Sequence, residues 1–431
     1  FTAPVVDGSG NVIVNQSGDV DLSTDIPQTI TGNLVVTTVG QLDFVGQLTG
    51  GTAVNLNSAT NSFGGTVSVN TDVPAEAVVT ARILQSDAIN GITVGGPTTL
   101  TAIGGSIQAD TLSNNFDSDN TGDGVILNSG TAAIADVNAL DLAAIALTNA
   151  SPDGLTVTAG GALTNSGAIA VAGDANLTTT GTDADITLNQ LNVDGTVTVT
   201  TTGANADATL TAAGTPADIT LGALAIVGAL DVTATGGITL NGGTVTSGSH
   251  QTYNNDVTLG TGTTLTSTAG GITLGGTVNG AQTLATSTAT GTTLNGTVGN
   301  ASPLTGLVIT GPATVNTAQV ITDATTGDQV FNGAVTLGAD ATFTGNDITF
   351  NSTVNSDGTA RNLTVTSNNS GSTTFGGALG AASALASVTT NGDGTVAING
   401  GTVATTNNQT YNDAVTLGAN ASLTSTGGVI T

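Results

Sequence analysis

The chain has 431 residues, with 2 Lys+Arg against 30 Asp+Glu, 62 Gly, 2% aromatic residues and no Cys, Met or Trp. A formal charge of −28 excludes phosphate-backbone recognition, which needs clustered Lys and Arg, and zero cysteines exclude a disulfide framework and thiolate chemistry. So few bulky and charged residues argue against ordinary globular domains, while a 38% hydrophobic fraction argues against disorder.

Phe1-Thr2-Ala3-Pro4 shows no basic start followed by an apolar run, so a signal peptide is expected to be absent or already removed. No stretch has the unbroken apolar length of a spanning helix, so no membrane insertion is expected. The only cations, Arg82 and Arg361, lie far apart, and the same imbalance argues against docking on anionic lipid. Glu76 is the only glutamate, so the acids are nearly all Asp, a residue that favours turns. Asp7-Gly8-Ser9-Gly10-Asn11 reads as one such turn.

The densest acidic loop is Asp117-Ser118-Asp119-Asn120-Thr121-Gly122-Asp123-Gly124. Oxygen ligands at alternating positions with Gly at the bend suit a hard cation, which makes Asp117, Asp119, Thr121 and Asp123 the candidate calcium ligands. No Glu follows at the distance of an EF-hand's bidentate ligand, so a site here would be weak. The competing reading is a solvated turn. Calcium is the one cofactor the sequence suggests. Residues 132–150 have the Ala and Leu content of a helix, but Asn138, Asp141 and the missing caps argue against one.

From there the pattern has period two. Leu155-Thr156-Val157-Thr158, Ile186-Thr187-Leu188 and Thr196-Val197-Thr198-Val199-Thr200 alternate apolar and hydroxyl side chains, as half-buried strands do. Gly160-Gly161, Gly236-Gly237 and Gly270-Gly271 supply the corners between them. Thr196, Thr198 and Thr200 would also fit an ice-binding array; ordinary outward threonine is the reading preferred.

The C-terminal half carries a repeat. Gln251-Thr252-Tyr253-Asn254 returns as Gln329-Val330-Phe331-Asn332 and as Gln409-Thr410-Tyr411-Asn412, with nearly equal spacing between the copies. Each copy leads into Val-Thr-Leu-Gly, at 257–260, 335–338 and 415–418. A shorter unit begins at Leu265, Leu284, Leu307, Ile321, Phe343, Leu363, Val388, Val403 and Leu423. Its steps are uneven, and the two shortest run from Leu307 to Ile321 and from Val388 to Val403. Short strands, Gly corners and a period near 20 predict an all-β fold, a right-handed parallel β-helix with a four-rung super-repeat of about 79 residues. At about 20 residues per rung and ~4.8 Å between rungs, the chain would make on the order of 21 rungs and about 100 Å of rod. Residues 1–431 form one continuous repeat segment, with less regular rungs over 1–240 and regular super-repeats over 241–431; tandem Ig-like β-sandwiches are the alternative.

Leu155-Thr156-Val157-Thr158-Ala159-Gly160-Gly161-Ala162-Leu163-Thr164-Asn165-Ser166-Gly167 resembles the repeats of filamentous-haemagglutinin-type adhesins, very large bacterial surface proteins. The resemblance covers most of the chain. It implies a β-helical shaft exported to the bacterial cell surface, serving adhesion or matrix formation. The Asn-Pro-Asn segment expected of a two-partner secretion domain does not occur, and the repeat starts and stops mid-pattern, as in a segment of a longer chain.

The remaining candidates have plainer readings. His250 occupies the place of Asp328 and Asn408 in the other copies, which favours a turn role over a base. Asn391-Gly392-Asp393-Gly394 reads as a turn. Tyr253, Phe331 and Tyr411 are read as packing residues rather than a contact stripe. Asn176-Leu177-Thr178 and Asn362-Leu363-Thr364 fit glycosylation acceptors without establishing any. The expected function is structural and non-enzymatic: the shaft of an extracellular or cell-surface fibre, with self-association, other surface proteins or glycans as partners and no nucleic acid. The alternative is a carbohydrate-active β-helix enzyme, which would need paired carboxylates in a groove.

Overall fold

The computed structural model of the chain describes residues 124–150, 154–212, 217–392 and 394–431 throughout; before them it describes strand segments between residues 5 and 94, residues 98–110 and residues 114–116. Among these residues every regular element is a β-strand. The strands pair in parallel, except that Val5–Val6 runs antiparallel to Val12–Gln16. The architecture is a parallel β-solenoid of about 14 turns with rungs about 22 residues apart. The chain falls into two compact units, Phe1–Thr220 and Leu221–Thr431.

In the first unit, strands Leu155–Ala159, Ala175–Thr179 and Thr196–Thr201 stack in register. Leu155, Ala175 and Val197 form one inward file and Val157, Leu177 and Val199 the next, all buried. The alanine-rich stretch is two strands, Val125–Asp136 and Leu140–Leu147. There Leu140, Leu142, Ile145 and Leu147 face inward, so burial in a parallel coil overrides alanine's helix preference.

The second unit is a coil with three faces per turn. On the first face Val245, Leu265, Thr286, Ile309, Phe331, Phe350, Phe375 and Ile398 follow one another, each beside the next turn's residue. The second face stacks Leu230, Gln251, Ile272, Thr292, Ala313, Val335 and Val354. The third stacks Ile238, Val257, Val278, Val298, Val320, Phe343 and Val365. Four phenylalanines condense the centre: Phe331 stacks on Phe350 at 5.1 Å and Phe350 on Phe375 at 5.8 Å, while Phe343 meets Phe331 and Phe350 edge-on. Such geometry adds to area burial because ring edges carry positive charge and faces negative.

The three faces explain the uneven repeat. Tyr253 lies on the second face, Phe331 on the first and Tyr411 on the third. Each super-repeat therefore spans four turns of three faces less one face, which is eleven faces, and its successive copies shift one face around the coil. The starts of the shorter unit follow the same geometry: Leu265, Leu284 and Leu307 are on the first face, Ile321, Phe343, Leu363 and Val388 on the third, and Val403 and Leu423 on the second. The two shortest steps, Leu307 to Ile321 and Val388 to Val403, are the places where the start advances by two faces instead of a full turn.

Corners are built from Asn and Gly. Asn316 Nδ2 donates to Asn295 Oδ1 at 2.8 Å, and Asn351 Nδ2 to Asn332 Oδ1 at 2.8 Å, each bond linking consecutive turns. Where the file passes to Gly338, a Cβ would overlap Asn316 Oδ1, so only glycine fits above that amide.

Candidate functional site

The candidate calcium ligands Asp117, Asp119, Thr121 and Asp123 lie outside the described residues, as do residues 7–11 and Asp393. The flanks of the acidic loop are described and firmly held. The Phe116 N–H donates to Asp136 Oδ2 at 2.7 Å, and the Asn138 N–H to Asp136 Oδ1 at 2.7 Å. Asp136 is fully buried, so these backbone donors replace the water its carboxylate has lost. On the far side a Cβ on Gly124 would overlap Asp141 Oδ2. Among the described residues, no three His, Cys, Asp or Glu side chains gather as a metal would require.

Arg361 is engaged rather than open. Its Nε donates to Asp357 Oδ1 at 3.1 Å and its Nη2 to Oδ2 at 2.9 Å, a two-pronged pair. The pair raises the guanidinium's pKa and, through the same hydrogen bond, lowers that of Asp357. Asp340 is lowered chiefly by the Asn362 N–H that it accepts at 2.9 Å. Asp323 takes four bonds, from the hydroxyls and N–H groups of Thr325 and Thr326, and these hold its carboxyl down to about 2. His250 is an exposed corner residue whose carbonyl accepts the Leu230 N–H at 2.9 Å. Its equivalents serve corners too: Asp328 Oδ1 accepts from Asn346 Nδ2 and the Asp347 N–H, and Asn408 Oδ1 from the Val429 N–H.

Outward threonines align in part. Thr158, Thr178 and Thr200 form one file, but in the neighbouring file Asn176 interrupts Thr156 and Thr198. A longer single file, Thr252, Thr273, Thr293, Thr314 and Thr336, runs along the second face of the second unit. These are the outward halves of period-two strands.

Two devices escape sequence reasoning. The first is the interior glutamine of each super-repeat. Gln251, Gln329 and Gln409 are all fully buried. Gln251 Nε2 donates to the carbonyls of Val245, 3.3 Å away, and Thr266, 2.8 Å away. Gln329 does the same to Val320 at 3.1 Å and Thr344 at 2.8 Å, and Gln409 to Val403 at 3.3 Å and Thr424 at 2.9 Å. Tyr253 and Tyr411 complete the motif, each hydroxyl donating to the glutamine Oε1 at 3.1 Å. Burial pushes the Tyr253 phenol far up and that of Tyr411 up to about 12. Phe331 has no hydroxyl, and Gln329 Oε1 is buried with no partner. Packing is thus the role of Tyr253 and Phe331, both fully buried.

The second device holds a wide corner. Asn279 Oδ1 accepts the N–H groups of Ala301 and Ser302 at 2.9 and 3.2 Å, and Asn355 Oδ1 those of Ala382 and Ser383 at 2.9 and 3.4 Å. Gly299 and Gly380 open these corners at φ +71° and +66°. The signal is present in the sequence as Val278-Asn279 and Val354-Asn355, followed by Gly299-Asn300-Ala301-Ser302 and Gly380-Ala381-Ala382-Ser383.

Compared with family models, curated proteins and solved structures, the chain matches none. The coil is internally bonded: its buried glutamines serve the backbone of neighbouring turns, while Gln329 Oε1, Thr390 Oγ1 and Asp413 Oδ2 are buried without a partner.

Proposed function

We propose that this chain is a structural shaft, a segment of an extracellular or cell-surface fibre that serves adhesion, cell contact or a matrix. The single observation that carries the reading is the unbroken inward file from Val245 to Ile398, backed by parallel pairing at every turn. In such a coil each turn is held by the backbone of the turns on either side, so load along the chain is resisted by whole strands acting together. The corners keep carboxylates outside, as at Asp256, Asp340 and Asp357, and a net charge far from zero favours solubility. The resemblance to filamentous-haemagglutinin-type adhesins agrees with a bacterial surface location. Self-association, surface proteins and glycans are the partners proposed, and no catalytic role is.

Single-molecule stretching tests this. A shaft unravels at high force and in steps, each turn of about 22 residues releasing roughly 70–80 Å of chain at ~3.3–3.6 Å per residue. Release of a whole unit in one low-force event would overturn the proposal.

A further inference from the structure

The buried glutamines recur with a regularity that filling space does not require. Each Nε2 reaches two carbonyls in different turns: Val245 and Thr266 are both on the first face, in consecutive turns, and Gln251 follows on the second face. Val320 with Thr344, and Val403 with Thr424, repeat this relation on the other faces. The amide therefore ties a turn to the one stacked upon it from inside a dry core. Peeling the upper turn away breaks a bond that water cannot replace until the core opens. Aliphatic neighbours such as Leu274 and Leu294 lose contacts gradually and have no such threshold.

We propose that Gln251, Gln329 and Gln409 are clamps at which unravelling of the coil arrests. The inference rests on the shaft reading and adds a built-in spacing to it. The gripped residues Thr266, Thr344 and Thr424 recur at the spacing of the super-repeat, so arrests come once per super-repeat rather than once per turn. Because successive copies shift by one face, the three clamps sit on three different corners, and no single side of the coil lacks one. The spacing is the same whichever end unravels first.

The test is constant-force stretching of the full chain in optical tweezers. Long pauses are expected at extensions separated by roughly 260–290 Å, the length of one super-repeat of about 79 residues at ~3.3–3.6 Å each. The double variant Gln251→Met with Tyr253→Phe removes one amide clamp and the hydroxyl that would be orphaned with it. It should shorten only its own pause, about tenfold for the loss of one or two buried bonds. Gln329→Met should shorten only the neighbouring pause, and circular dichroism confirms that each variant is folded. Wild-type chain that resists force but unravels in uniform turn-sized steps overturns the clamps and leaves the shaft standing. Pauses that survive both substitutions also overturn the clamps. Unravelling at low force without any pause overturns both proposals.

Discussion

Phe331→Tyr is expected to stabilise the second unit, although it adds an atom to a packed core. Tyr253 and Tyr411 stand two residues after a buried glutamine on the same strand, and both place their hydroxyl 3.1 Å from its Oε1. Phe331 stands two residues after Gln329, whose Oε1 is buried and unpaired. The ring is already set by its stack on Phe350 and its edge contact with Phe343. A hydroxyl at the para position should satisfy the amide oxygen, and satisfying a buried acceptor is worth about 1–3 kcal/mol. Against this, overpacking costs typically ~1–3 kcal/mol where the extra atom finds no room. The two tyrosine copies show that the coil accommodates the group, so a net gain of about 1 kcal/mol is expected. For a unit the size of Leu221–Thr431 that raises Tm by roughly 2–4 °C. The assay is urea unfolding of wild type, Phe331→Tyr, Gln329→Met and the double variant, at constant m. The cycle should yield a coupling energy near ~1 kcal/mol in favour of the Tyr–Gln pair. An equal effect of Phe331→Tyr with and without Gln329 would refute the reasoning, because the hydroxyl would then act on something other than the amide.

Three further outcomes follow from the same geometry. Deleting residues 254–331 removes eleven whole faces and joins Tyr253 to Asn332, so the variant should fold with native-like circular dichroism and a cooperative melt; deleting residues 254–330 joins Tyr253 to Phe331, sets two inward residues side by side against the period-two phase, and should melt well below it. Phe350→Ala opens a cavity between two stacked rings and an edge-on third, and should cost about 3–5 kcal/mol in chemical denaturation. Asp323 has its carboxyl held down to about 2 by Thr325 and Thr326, so its contribution to stability is present above the ordinary carboxylate range and lost as pH falls through about 2. Acid titrations of wild type and Asp323→Ala should therefore differ at neutral pH and converge at the acid end, and curves that stay parallel would contradict this.

Much of the fold is legible because half-buried strands write their orientation directly: Thr196-Val197-Thr198-Val199-Thr200 alternates, and Val197 and Val199 are fully buried. The rung length is less legible. A period near 20 emerges by averaging full turns with the two-face steps from Leu307 to Ile321 and from Val388 to Val403, whereas stacked positions are about 22 residues apart. The faces carry similar Val-Thr-Leu strands, so nothing local says on which face a copy lies; only the unequal steps do. The glutamines are visible as repeat markers but not as buried groups, because hydropathy places Gln at the surface, and their burial depends on carbonyls from two other strands. His250 is legible as a corner residue from its equivalence to Asp328 and Asn408, without reference to its own chemistry.

The internal copies also show which polar contacts in the core depend on pairs. Two buried hydroxyls, those of Thr286 and Thr292, pair with each other at 2.8 Å, whereas the buried Thr390 Oγ1 has no partner. Two differences between copies each leave one polar atom unpaired. Gln329 Oε1 has no donor because Phe331 stands where the other copies have tyrosine. Asp413 stands where the first copy has Asn255; both cap a turn, Asn255 Oδ1 accepting the Ala234 N–H and Asp413 Oδ1 the Gly394 N–H, each at 3.0 Å. The second oxygen of Asp413 is buried and unpaired. Both copies still complete their turns, because parallel pairing and the apolar files on either side hold those residues in place whether or not every polar atom is satisfied. The repeat thus separates two layers of specification. Apolar period two and small corners build the coil, and the Gln–Tyr pairs add local bonds whose loss weakens one turn without changing the path of the chain.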